Sequence, residues 1–170
     1  MKKHFFATMI PVLLLMFTTV TNAQDKAGQS ELTFRDCFTH ADSCRYIGEV
    51  FISKMAEKKF EELEPWFAEK FLFRGLTPGS LVTSNDPAET TGIIKKWFYV
   101  DDTEQYRVID SGVDVLVDCL YIHYRIFETY KGDPYHVEQQ LYCEVMAGKI
   151  QKLSLVCSGF RKLTEKQAAP

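Results

Sequence analysis

The sequence predicts an α+β domain: a cone-shaped, curved antiparallel β-sheet (a meander) with three N-terminal helices packed on its concave face. Three observations carry this. Ile47, Val50, Phe51 and Met55 recur at intervals of three and four, one apolar stripe of a helix. From Tyr106 onward the apolar period changes to two, and three turn signals divide the rest into four consecutive strands. Helices first and strands after, joined by short turns, place the helices on one face of an antiparallel sheet.

The elements follow in order. The first helix is expected to start at Thr39–Asp42, a polar cap followed by an acid, and to close at Lys58-Lys59, where positive charge suits the helix C-terminus. A second, short helix carries Leu63, Trp66 and Phe67 and must begin or bend at Pro65. Phe71 to Arg74 reads as a first short strand, broken by Gly75-Leu76-Thr77-Pro78-Gly79. Asp86-Pro87-Ala88-Glu89 is a strong helix start: an acceptor at the cap and proline at the first position. Ile93, Ile94, Trp97 and Phe98 form the buried face of that third helix.

Turn lengths set the strand registers. A two-residue turn at Asp118-Cys119 puts Val115 opposite Ile122 and Val113 opposite Tyr124. A loop from Lys131 to Pro134 puts Ile126 opposite Gln139 and Tyr124 opposite Leu141. After Pro134 the odd positions then lie beneath the helices and the even ones point away. The outer face carries a row Asp114–His123–Tyr142, read as a solvated or subunit-contact surface, because acid–base work needs a cleft.

The chain has 170 residues and a formal net charge of −3, with no strongly basic stretch, so the footprint of a nucleic-acid binder is missing. Lys2 and Lys3, the apolar run Phe5 to Val20 and the small residues Thr21-Asn22-Ala23 read as a cleavable signal peptide over 1–23. The run is shorter than the roughly 20 apolar residues a membrane span needs, and no later segment could cross a bilayer. The expected protein is exported, to a periplasm or beyond, with a flexible lead-in over 24–41, a domain over 42–162 and a disordered tail over 163–170. Five cysteines are present: Cys37, Cys44, Cys119, Cys143 and Cys157. Export permits disulfides, and Cys37–Cys44 is the best candidate pair, provided Cys37 lies outside the helix.

The candidate site lies on the helix-facing side. Tyr124 and Gln139 fall there among aliphatic residues, and a buried amide needs partners. Arg74, leaving the first strand at the mouth of the helix layer, is the expected cation. Tyr46, Trp66 and Trp97 could supply apolar walls, or simply pack in the core. The histidines, at 4, 40, 123 and 136, show no metal-ligand spacing, and no phosphate loop, nucleophile elbow or dinucleotide fingerprint occurs. Neither metal nor cofactor is expected.

In this order of elements the chain resembles the nuclear transport factor 2-like superfamily, the fold shared by ketosteroid isomerases and SnoaL-type polyketide cyclases. Four stretches carry the resemblance: Phe60-Glu61-Glu62-Leu63 with Trp66-Phe67; Phe73 to Gly79; Ile94-Lys95-Lys96-Trp97-Phe98; and Glu138 to Glu144 with Cys157-Ser158-Gly159-Phe160-Arg161. It covers roughly Asp42 to Arg161 and implies a pocket between sheet and helices, and a homodimer through the outer sheet face. Isomerase members place a Tyr on the first helix and a catalytic Asp after the first strand. Here Phe51 and Arg74-Gly75 stand there, which counts against steroid-isomerase chemistry. The leading expectation is therefore a pocket for a small hydrophobic molecule, with the catalytic residues unassigned. One alternative is a lyase, isomerase or cyclase whose acid comes from the loop Thr77 to Glu89, with Asp86 the candidate, since the helix-facing residues of the meander offer no carboxylate. Another is a non-catalytic dimeric accessory module.

Overall fold

A computed structural model describes residues 34–98, 103–116 and 119–164. The expected signal peptide, residues 24–33 of the lead-in and residues 165–170 of the tail lie outside the described residues. The order is α1 (Phe34–Ala56), a 3-10 helix η1 (Phe60–Trp66), β1 (Phe67–Thr77), β2 (Ser80–Ser84), α2 (Pro87–Trp97), β3 (Thr103–Leu116), β4 (Cys119–Tyr130), β5 (Asp133–Met146), β6 (Lys149–Cys157) and β7 (Arg161–Lys162). The strands form one sheet ordered β2-β1-β6-β5-β4-β3, with β7 added to β5.

The α+β architecture matches the expectation, with corrections. The sheet is mixed: β1 runs parallel to β6 and antiparallel to β2. Gly75 to Thr77 do not break β1 but continue it to a tight turn at Pro78-Gly79, so a strand expected to be short is 11 residues long and returns as β2. Helix α1 begins at Phe34, inside the expected lead-in. Cys37 and Cys44 therefore share one helix. At about 1.5 Å rise per residue they stand roughly 10 Å apart along it, beyond disulfide reach, and Cys44, Cys119, Cys143 and Cys157 are free thiols. At the other end Leu163 is docked, its N–H donating to Pro134 O at 2.9 Å.

The loop expected from Lys131 to Pro134 is tighter than expected, while Ala147-Gly148 turns the chain where expected. Lys131 and Gly132 (φ 53° and 80°) and Ala147 and Gly148 (φ 50° and 72°) form two-residue turns with left-handed backbone, the kind that suits the twist of paired strands. Asp133 and Pro134 belong to β5, so Tyr124 pairs with Gln139 and Ile126 with Val137. In the β3–β4 hairpin Leu116 pairs with Cys119 and Val113 with Ile122. Both registers differ by two residues from the expected ones. A shift of two preserves parity, so Tyr124 and Gln139 stay on the helix-facing side. Gln139 is buried and Gln140 exposed.

The core is the helix-facing side of the sheet. Ile47, Phe51 and Met55 of α1 and Ile94 and Phe98 at α2 meet Ile122, Ile126, Val137, Leu141, Leu153 and Leu155. Gly48 lets α1 approach closely, since a Cβ there would sit 2.6 Å from Val113 Cγ1. One irregularity matters for the site. A bulge between Val108 and Asp110 inserts Ile109 as an extra residue and reverses the alternation of β3. Tyr106 and Val108 are thereby turned onto the helix-facing side, and Tyr106 pairs with Glu128.

Candidate functional site

The interior holds two polar pairs, one fully buried and one in which a buried carboxyl lies beside a half-buried tyrosine. The first is Tyr124 and Gln139, both within 2% of full burial. The Tyr124 hydroxyl donates to Gln139 Oε1 in a short hydrogen bond, and the phenol stacks on Phe51 with ring centroids 6.5 Å apart. Burial holds the Tyr124 hydroxyl well above its ordinary pKa, reinforced by Tyr106 and the Cys157 and Cys143 thiols, so it stays a donor. That bond uses only one end of the amide. Gln139 Nε2 is buried with no hydrogen-bond partner among the described residues.

The second pair is Glu128 and Tyr106. Even positions of β4 face the helices, so Glu128 follows Tyr124 and Ile126 on the same side and is 1% exposed. Its Oε2 has no hydrogen-bond partner among the described residues. Desolvation raises its pKa to about 7, and the Lys58 charge opposes that rise only in part. Tyr106 lies beside it. Its hydroxyl donates to Met55 O at 2.8 Å, Lys58 Nζ stands 4.8 Å from its ring centroid, and Phe98 meets it edge-on at 5.9 Å. Burial, and then the Glu128 charge, push its hydroxyl pKa above the ordinary value. The pair thus sits where the C-terminal end of α1 meets β3 and β4.

Other expected site residues are placed differently. Arg74 is exposed: β1 buries Phe71, Phe73 and Gly75, so alternation sends Arg74 to the opposite face, between Thr83 and Ser154. Tyr46 is 58% exposed and meets Trp66 edge-on at 5.7 Å, on the outside of the core. Trp97 is half-buried against Phe73, centroids 6.1 Å apart, and fills the space above Gly75. Of the expected set, Tyr124 and Gln139 are brought together in the interior, and Tyr46 and Trp66 meet outside it. Asp86 caps α2, its Oδ1 accepting from Glu89 N–H at 2.7 Å, and so stays outside the interior. Asp86→Ala should cost about 1 kcal/mol, read as a lower midpoint in urea unfolding, and leave the interior site unchanged.

The expectation that the meander offers no helix-facing carboxylate is corrected by Glu128. The signal was present in the sequence: the alternation that places Tyr124 and Ile126 inside extends to position 128. Tyr106 gave no such signal, because it reaches the interior only through the bulge at Ile109. The expected outer row is also redrawn. Asp114 pairs with Tyr121, and His123 lies between Gly112 and Gln140. Among the described residues no group of His, Cys, Asp or Glu could hold a metal ion, and no helix is long and apolar enough to cross a membrane.

Solved structures share this architecture. A candidate polyketide cyclase from Xanthomonas campestris pv. campestris aligns with 68% of this chain and 90% of its own at a TM-score of 0.55 and 12% identity. An LEH-like epoxide hydrolase of M. tuberculosis aligns with 70% and 85% at 0.52 and 8% identity. A Catenulispora acidiphila protein of ketosteroid isomerase-like fold, in complex with trimethylamine, aligns with 66% and 85% at 0.53 and 15% identity. No family model and no curated protein matches the sequence. The likeness is one of fold: the chain has the nuclear transport factor 2-like architecture that the sequence resemblance implied.

Proposed function

We propose that the helix-facing interior takes a small, mostly apolar organic molecule and that Glu128 moves a proton on it, the work of an isomerase, cyclase or lyase. The observation that carries this is the Glu128 carboxyl: 1% exposed, one oxygen without a partner among the described residues, its pKa raised by desolvation to about 7. A group that gains and loses a proton near neutrality in an apolar setting suits general acid–base catalysis. Burying an unpaired carboxyl without such a use costs stability. Tyr106, half-buried beside it, offers a hydroxyl that could switch from Met55 O to a ligand oxygen. A purely binding role draws on a different observation, the free Gln139 Nε2, which supplies a donor for a ligand carbonyl.

The test is hydrogen exchange at carbon. The intact chain is incubated in D2O with a panel of small apolar ketones and esters, and deuterium incorporation beside the carbonyl is followed by NMR. Incorporation above the buffer rate for at least one compound, lost in Glu128→Gln, is expected. Binding of a panel member with no exchange in either protein would leave the carrier role and end the catalytic one. Neither binding nor exchange across the panel would end both.

A further inference from the structure

A concavity lies on the face of the sheet opposite the helices. It has a volume of about 250 Å3 and is lined by Asp110, Tyr121, His123, Arg125, Glu138 and Gln140, together with Tyr124 and Gln139. We propose that it is a binding site for a small uncharged polyol of monosaccharide size.

The hollow follows from the pairing of β3, β4 and β5. His123 stands at the centre, with Gly112 opposite it on β3 and Gln140 opposite it on β5. Gly112 supplies no side chain, so a gap opens in the outer layer and the imidazole leans across it. A Cβ on Gly112 would lie 2.4 Å from His123 Cε1. Yet His123 Nδ1 is buried and has no hydrogen-bond partner among the described residues. On one side Arg125 is fixed by Glu138, with Nε and Nη2 at 2.8 and 2.7 Å from the same Oε1. Asp110 faces Arg125 from β3.

Three features select the ligand. First, the lining carries two carboxylates and one guanidinium, a net charge of −1 with the guanidinium already engaged by Glu138, so an anion is disfavoured and Asp110 is left as an acceptor for a ligand hydroxyl. Second, both acceptors and donors line the hollow: Asp110, Arg125, Gln140, Tyr121 and His123. A molecule with hydroxyls on several carbons can give and take at each. Third, the Tyr121 ring, tilted beside His123 at 5.6 Å between centroids, offers a flat apolar surface for the C–H face of a sugar. The volume is below that of the usual drug-sized pocket, which suits one small polar ring.

The experiment is a 1H–15N NMR titration of the intact chain with glucose, N-acetylglucosamine and inositol up to tens of millimolar. Saturable shifts at the Tyr121, His123 and Gln140 amides are expected for at least one of them. Asp110→Asn should weaken that binding about tenfold, and Gly112→Ala, which pushes the imidazole into the hollow, should abolish it. Asp110 is exposed, so its variant is informative even where Gly112→Ala folds poorly. Absence of shifts, or equal shifts in wild type and Asp110→Asn, would overturn the proposal. So would a sedimentation result showing a homodimer that covers this face and separates on Tyr142→Glu.

Discussion

Glu128→Gln is expected to raise stability by as much as about 3 kcal/mol at pH 8 and to change it little at pH 4.5. The carboxyl has an ordinary pKa of 4.5 and a folded value of about 7. The folded state therefore holds its proton more tightly than the unfolded chain does. The stabilisation linked to that proton is fully present below pH 4.5 and is lost as pH rises through 7. A shift of that size corresponds to about 3 kcal/mol at 1.36 kcal/mol per unit. Glutamine is neutral throughout, so the variant escapes the loss. Urea unfolding of both proteins at pH 4.5, 6 and 8 measures it, and the relevant quantity is the difference between their pH profiles. Parallel profiles would show that Glu128 ionises freely and would remove the basis for its role as a proton carrier. A steeper wild-type decline joined to lost exchange activity would mark a residue kept at a cost in stability for its chemistry.

How much of this was legible beforehand follows from which physical rule set each feature. Alternation along β4 and β5 depends only on parity, so Tyr124 and Gln139 were placed inside correctly although the β4–β5 turn proved two residues tighter than expected and the β3–β4 turn lies one position earlier. The error in register was invisible to the faces because it was even. The capping signal at Asp86 was local and survived intact. Features set by distant pairing were not readable. Nothing within β1 announces that it runs parallel to β6, so Arg74 was assigned to a mouth when the exposed and buried positions of β1 put it on the outer face. The bulge at Ile109 likewise depends on β4 as a partner. Without it Tyr106 would face outward and Glu128 would lack its neighbour. The candidate site thus combines one residue that parity could have found, Glu128, with one that only the folded sheet reveals.

The other large effect concerns the pair at the centre of the core. Tyr124→Phe removes the donor to Gln139 Oε1 and leaves both ends of a buried amide without partners. A cost of about 1–3 kcal/mol is expected. Gln139→Leu strands the Tyr124 hydroxyl instead and should cost a similar amount. The double variant strands nothing: it also removes Nε2, which has no hydrogen-bond partner among the described residues. It should be about as stable as wild type or more so, giving a strongly non-additive double-mutant cycle in urea unfolding. Simple addition of the two costs would show that the side chains do not satisfy one another. The same double variant separates stability from function. If a sequence retains a half-satisfied amide where two apolar residues would pack as well, packing does not explain it, and recognition of a ligand acceptor does. A stable Tyr124→Phe/Gln139→Leu protein that no longer takes up the carbonyl compounds bound by wild type is the expected result. Unchanged uptake would move the binding site away from this pair.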